Sequence, residues 1–156
     1  MLEVGAKAPE FVLANDEGGE TSLTDLLQDG PLILYFYPAD FTPGCTKEAC
    51  SIRDIHNDIQ SVGLRVAGVS PQDVESHQKF RDEYELPFTL LSDPDKVAIK
   101  MYDVDGPFGV GVRRATFLIS QDRVIKDAVM ADVRIGRHQE FIEKAIVLRE
   151  TAGKAR

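Results

Sequence analysis

The sequence predicts a three-layer α/β/α sandwich around a mixed sheet, on three observations. Residues 32–37 (Leu-Ile-Leu-Tyr-Phe-Tyr) are the most apolar run of the chain, and read as a central strand buried on both faces. A helical pattern and a second apolar run at 64–69 (Leu-Arg-Val-Ala-Gly-Val) follow. A strand–helix–strand unit of that length implies a parallel pair joined by a right-handed crossover. Near the end, 115–119 and 124–129 flank Gln121-Asp122 and read as an antiparallel hairpin, which makes the sheet mixed.

The remaining elements follow in order. Residues 8–14 form a short strand, and Asn15 to Gly19 a turn rich in Asn, Asp and Gly. Thr21 or Ser22 caps a short helix through Leu27, which Gly30-Pro31 stops. After the first long strand, Ala49, Ile52, Ile55 (or His56), Ile59 and Val62 recur at helical spacing, so one helix is expected over that stretch. Ser70-Pro71-Gln72-Asp73 opens the next helix, with Ser70 as cap and Pro71 at its first position, and Leu86-Pro87 ends it. Leu90-Leu91 is a short strand. Asp93-Pro94-Asp95 starts a helix carrying Val97, Ala98 and Met101, and Gly106 to Gly111 is a flexible loop. The last helix runs from about Arg137 to Glu150, with a frayed tail from Thr151.

Composition narrows the function classes. One domain over 1–156 is expected at 156 residues and 17.3 kDa, enough for a full core. No apolar run approaches a membrane span, and the first residues lack the basic stretch and apolar run of a secretion signal. A net charge of −8 without a basic block argues against nucleic acid. Two cysteines five positions apart fit a reducing cytoplasm better than a disulfide scaffold.

Both cysteines lie in the stretch that follows the central strand, Pro38-Ala-Asp-Phe-Thr-Pro-Gly-Cys45-Thr-Lys-Glu-Ala-Cys50. Thr42 stands at a natural N-cap and Pro43 at the first helical position, where a missing N–H is no loss. Cys45 then falls in the first turn, where free backbone N–H groups and the helix dipole favour a thiolate over a thiol. A thiol placed there is set up as a nucleophile.

The run Pro38-x-x-x-Thr42-x-x-Cys45 resembles the active-site signature of the peroxiredoxins. With Thr46-x-Glu48-x-x-Cys50 it is similar to the bacterioferritin-comigratory (Q-type) subfamily. Gly68-Val-Ser70, Ser76-His77-x-x-Phe80, Leu86-Pro87-Phe88-x-Leu90-Leu91-Ser92-Asp93 and Arg114-x-Thr116-Phe117 fall in that subfamily's order, so the resemblance spans about 4 to 148. It implies a thioredoxin-like fold with an N-terminal β-hairpin and an inserted helix–strand unit. It also implies a peroxidase without a bound cofactor or metal, acting on hydrogen peroxide and organic hydroperoxides in antioxidant defence. Cys45 becomes the peroxidatic nucleophile, Thr42 a hydroxyl contact to sulfur and peroxide, and Arg114 (rather than the adjacent Arg113) the positive charge. Pro38 shields the pocket, the N–H groups of Gly44 and Cys45 complete the donors, and Glu48 orients the arginine.

Attack on a peroxide leaves a sulfenic acid that a nearby thiol traps as a disulfide. Cys50 is the resolving candidate. In an intact helix, five residues separate Cα atoms by about 8–9 Å and turn the side chains about 140° apart, whereas a disulfide needs Cα atoms within about 7 Å. Formation of the bond therefore requires the Cys45–Cys50 turn to unwind, which Gly44 eases. The resemblance further implies recycling by thioredoxin or a similar dithiol reductant, in a monomer or weak homodimer.

Other readings compete with this one. A disulfide reductase of the thioredoxin type lacks its Cys-x-x-Cys here, and a metal or redox-sensing module on Cys45, Cys50 and His56 musters three ligands at most. Cys50 and Cys45 also fit as packing residues, Arg114 as a strand-edge residue, and Thr42 as a cap alone. His56 and His77 read as packing or helix-surface side chains, and His138 has no evident partner. Ser120-Gln121-Asp122-Arg123 stands where the subfamily often has Asp-x-x-Gly, and its downstream tryptophan is missing.

Overall fold

The structure, a computed structural model, describes the backbone of residues 1–154 and side chains through Thr151. Seven strands form one mixed sheet: β1 Val12–Asn15, β2 Glu20–Ser22, β3 Leu32–Phe36, β4 Arg65–Ser70, β5 Thr89–Ser92, β6 Ala115–Ile119 and β7 Ile125–Met130. Their spatial order is β2-β1-β5-β4-β3-β6-β7. β3 pairs parallel with β4, and β4 with β5, while every other neighbouring pair is antiparallel. The expected parallel unit and the C-terminal hairpin are both present, and β1–β2 is the N-terminal hairpin.

All five residues of β3 are buried, because it lies between β4 and β6 inside a sheet covered on both faces. Leu32, Leu34 and Phe36 face one core with helix α1 (Leu23–Leu26), helix α5 (Val97–Met101) and Phe117. Ile33, Tyr35 and Tyr37 face the other with α2 (Pro43–Asp54), α3 (His56–Ser61), α4 (Val74–Tyr84) and α6 (Gly136–Lys154). A continuous apolar run is what a strand needs when successive side chains enter two different cores.

Several boundaries differ from expectation. The N-terminal strand begins at Val12, and residues 8–11 meet the body through separate contacts such as the Ala8 N–H bond to Arg123 O. Ser22 caps α1 in a full capping box with Asp25, and the helix closes at Leu26. The helix expected after Thr42 is two helices, broken at Ile55, whose N–H bonds to Ile52 O in a tighter turn. Its apolar stripe crosses the break unchanged, with Ile52 and Ile59 both buried, so spacing alone does not reveal it.

Ser70 belongs to β4, its carbonyl taken by Asp93 N–H; Asp73 caps α4 by accepting from Ser76 N–H at 2.8 Å. Asp93 organises the entry to α5 by accepting from the N–H groups of Val97 and Ile99. The 106–111 loop holds a short 3₁₀ turn at Pro107–Gly109, tied down by Lys96 Nζ on Asp105 and on the carbonyls of Gly109 and Gly111. In the β6–β7 turn Arg123 occupies the left-handed region at φ 65°. Helix α6 continues to Lys154, past the expected end near Glu150; residues 155–156 lie outside the described residues.

Tyr35 crosses directly over Gly68 of β4, where an added Cβ would lie 2.7 Å from Tyr35 Cζ. The ring has no room to retreat, being stacked on Tyr37 at 5.4 Å and edge-on to Phe88 at 6.0 Å. Gly68→Ala therefore overpacks the core beneath Cys45 and lowers unfolding free energy by about 1–3 kcal/mol. Urea denaturation measures this; an unchanged midpoint contradicts it.

Candidate active site

The site forms where β3 gives way to α2. Tyr37 N–H still bonds to Val69 O at 3.0 Å, so the chain leaves the sheet only at Pro38. It then turns through Phe41, held at φ 65°. A bulky residue there is strained by on the order of 1–3 kcal/mol, which surrounding contacts must offset. Thr42 is extended at the N-cap and Pro43 takes the first helical position. Thr46 N–H makes the first intrahelical bond, to Thr42 O at 2.8 Å, leaving the N–H groups of Gly44 and Cys45 without a helical acceptor.

The Thr42 hydroxyl donates to Ala39 O at 3.1 Å and makes neither a side-chain cap nor a bond to sulfur. Its expected capping role is thus carried by backbone alone. Pro38 is half-buried beside this turn.

Cys45 is buried and Cys50, on the same unbroken helix, is half-buried; both are free thiols. Arg114 arrives just before β6, across β3 from α2. Its Nη2 donates to Cys45 Sγ at 3.3 Å and its Nη1 to Glu48 Oε1 at 2.8 Å. Gly44 makes room for it: a Cβ there would lie 3.1 Å from Nη2 and 3.4 Å from Ile135 Cδ1. The neighbouring Arg113 faces outward and pairs with Asp132, whose other oxygen accepts Arg114 N–H at 2.9 Å. Extended backbone sends adjacent side chains to opposite faces, so only Arg114 reaches the thiol.

Burial alone would pull the Arg114 guanidinium down, but Glu48 and Cys45 outweigh it and hold it above its ordinary range. Glu48 behaves differently. Burial pushes its carboxyl up to about 7 against the pull of Arg114. Only Oε1 has a hydrogen-bond partner; Oε2 is buried with none, so that oxygen bears most of the lost hydration.

Two neighbours escaped the sequence reading. His138 of α6 is buried, with Nδ1 2.8 Å from Thr116 Oγ1, Nε2 2.8 Å from Ala131 O, and Glu48 Oε2 at 3.6 Å. Burial lowers its ring below the ordinary value, though the Ala131 carbonyl opposes this and the Arg114 charge adds to it. His77 lies fully buried with Asp40, and His56 packs against Phe88. Only the Thr116 of Arg-x-Thr-Phe marked the His138 position, because its partners come from three separate elements. Cys45, Cys50 and His56 are not gathered as ligands: among the described residues no group of three His, Cys, Asp or Glu side chains is placed to hold a metal ion. Of the aromatics near the stretch, Phe41 is partly exposed against Phe80 and Tyr84, Phe88 is core, and Phe108 is fully exposed.

A carboxyl raised in the folded state holds its proton more tightly there than in the unfolded chain. Its stabilising contribution is complete below about pH 4.5 and is lost as pH rises through about 7. Glu48→Gln removes this titration. The wild type should therefore lose stability relative to Glu48→Gln between pH 4.5 and pH 7, by at most about 3 kcal/mol at 1.36 kcal/mol per unit. Urea unfolding of both proteins at the two pH values checks it; parallel pH profiles contradict it.

The AhpC/TSA family matches residues 4–128 of this chain. A putative peroxiredoxin bcp of Coxiella burnetii is 47% identical over 143 residues, covering 88% of this chain and 93% of the relative. Peroxiredoxin Bcp of Bacillus subtilis is 41% identical over 133 residues, covering 81% and 84%. The crystal structure of peroxidoxin BcpB from Mycobacterium tuberculosis superposes with a TM-score of 0.88 at 32% identity, covering 95% of this chain and 98% of that one. The buried thiol at a helix start, the arginine on it, the thioredoxin-like sheet and these relatives agree: the chain belongs to the AhpC/TSA family, in its peroxiredoxin Bcp/Q branch.

Proposed function

We propose that the chain is a thiol peroxidase that reduces hydrogen peroxide and organic hydroperoxides through Cys45, resolves the product with Cys50, and is recycled by thioredoxin or a similar dithiol. The Arg114 guanidinium bridging Cys45 Sγ and Glu48 inside the buried pocket carries this reading. A fixed guanidinium 3.3 Å from the sulfur complements a thiolate and the negative charge developing on the peroxide. The Cys45 sulfur attacks one peroxide oxygen and the O–O bond breaks. The departing hydroxide or alkoxide takes up a proton, leaving water or alcohol and a Cys45 sulfenic acid. The free N–H groups of Gly44 and Cys45 and the Thr42 hydroxyl orient the substrate, Pro38 limits water, and Glu48 aims the arginine.

Resolution then forms a sulfur–sulfur bond as the Cys50 thiolate displaces hydroxide from the sulfenic acid, which leaves as water. Helix α2 spans both cysteines without a break, with Cα atoms about 8–9 Å apart by helix geometry, beyond the about 7 Å a disulfide allows. The first turns of α2 must therefore open in each cycle, and an external dithiol then reduces the bond. The same reading places the protein in a reducing compartment such as the cytoplasm, as a monomer or weak homodimer, with no nucleic-acid or membrane partner. Among the described residues no helix is long and apolar enough to cross a membrane.

Stopped-flow measurement with hydrogen peroxide should show rapid consumption that Cys45→Ser abolishes. Arg114→Met should slow it by about 10²–10³-fold. Unchanged consumption in Cys45→Ser removes the peroxidase reading. After one equivalent of peroxide, non-reducing mass analysis should show a loss of two hydrogens mapped to Cys45–Cys50, with faster amide exchange over 45–54. A stable sulfinic acid, a disulfide between chains, or identical exchange in the two states would oppose the intramolecular route.

A further inference from the structure

Helix α4 grips the active-site loop through a buried cluster outside the thiol's own contacts. Asp40 sits midway between β3 and Thr42, and its carboxylate gathers three donors. Tyr37 OH lies at 2.6 Å from Oδ1, with Ser76 Oγ and His77 Nδ1 each 2.7 Å from Oδ2. The side chains of Asp40 and His77 are both 0% exposed. His77 Nε2 lies 3.0 Å from Leu91 O of β5. The imidazole therefore meets an acceptor at each nitrogen, and its two contacts tie loop, helix and sheet together in a buried site. Burial works against the Asp40 carboxylate, but the bonds from His77, Tyr37 and Ser76 outweigh it and hold the carboxyl below its ordinary range.

The next residue is Phe41, in the strained left-handed conformation, its ring edge-on to Phe80 at 5.2 Å, one turn along α4 from His77. Such a backbone persists only where its surroundings over-determine it. Here α4 holds it twice, by hydrogen bonds at Asp40 and by an aromatic contact at Phe41. Thr42 follows directly, and its carbonyl receives the first N–H of α2.

We propose that Asp40 and His77 are positioning residues for peroxide reduction: their buried hydrogen bond fixes the Phe41 turn and thereby the placement of Thr42 and Pro38 at the head of α2. The proposal rests on the peroxidase reading for its kinetics and on geometry alone for its effect on the loop. A generic core hydrogen bond would contribute to stability without distinguishing peroxide from any other electrophile. A positioning pair acts on the substrate's placement, where displacement by about 1 Å costs about a hundredfold in rate.

The test compares wild type with Asp40→Asn, which keeps the shape, and His77→Gln. The second-order rate with hydrogen peroxide should fall about a hundredfold in both. Alkylation of Cys45 by iodoacetamide should be unchanged or faster, because Arg114 and the α2 N–H groups stay in place. Two outcomes overturn the proposal: peroxide rates equal to wild type, or peroxide and alkylation rates falling together. Amide exchange over residues 39–42, read without turnover, should accelerate in both variants while β3 and β4 keep their protection. Equal exchange in the loop, or loss of protection throughout the sheet, overturns it too. If the wild type consumes no peroxide, the peroxidase reading fails, and the exchange measurement alone decides the clamp.

Discussion

Arg114 is about 5% exposed and carries a charge that cannot be shed, so it must be met by negative or electron-rich partners. Cys45 Sγ and Glu48 Oε1 supply them, both from the first two turns of α2. Much of the local architecture serves that contact. Gly44 clears the space beside the guanidinium, Asp132 holds the arginine's backbone from behind, and the β3–β6 pairing fixes the distance between strand and helix. The arrangement leaves Glu48 Oε2 bare and its carboxyl raised, a local instability at the place where reactivity is needed.

A helix start that favours reactivity is also a helix that keeps the two cysteines apart. While α2 is wound, its N–H groups and Arg114 surround Cys45, but Cys50 is displaced along and around the axis. On the proposed route to a disulfide the helix must open for the thiols to meet, and opening it removes that donor set. Two features bound α2. Below, the break at Ile55 separates α2 from α3, whose Ile59 stays in the core. Above, the Asp40–His77 pair and the Phe41–Phe80 contact hold the loop to α4.

Much of this was legible in residue order. The uninterrupted apolar run of β3 announced a strand between two cores, and Thr42-Pro43 announced the start of α2. Arg114, rather than Arg113, followed from the match to Arg-x-Thr-Phe. What escaped was of another kind. The break at Ile55 carries no Gly or Pro, and Ser70-Pro71 imitates a helix start although the sheet claims Ser70. Arg123 takes a left-handed turn position without being glycine, held by its bonds to the Ser120 and Ala8 carbonyls. His77 looked like a packing or helix-surface residue and His138 had no evident partner, because the partners of both lie on other elements.

The sequence by itself determined the order of elements, the mixed sheet and the placement of a cysteine at a helix N-terminus. Those follow from periodicity, capping chemistry and apolar runs, all properties of neighbours along the chain. Only the tertiary structure decided that Glu48 is half-satisfied, that the Thr42 hydroxyl turns to Ala39, and that Asp40 and His77 form a buried pair. Each depends on which side chains meet across the fold and on how much water their meeting excludes. A linear pattern cannot specify either quantity.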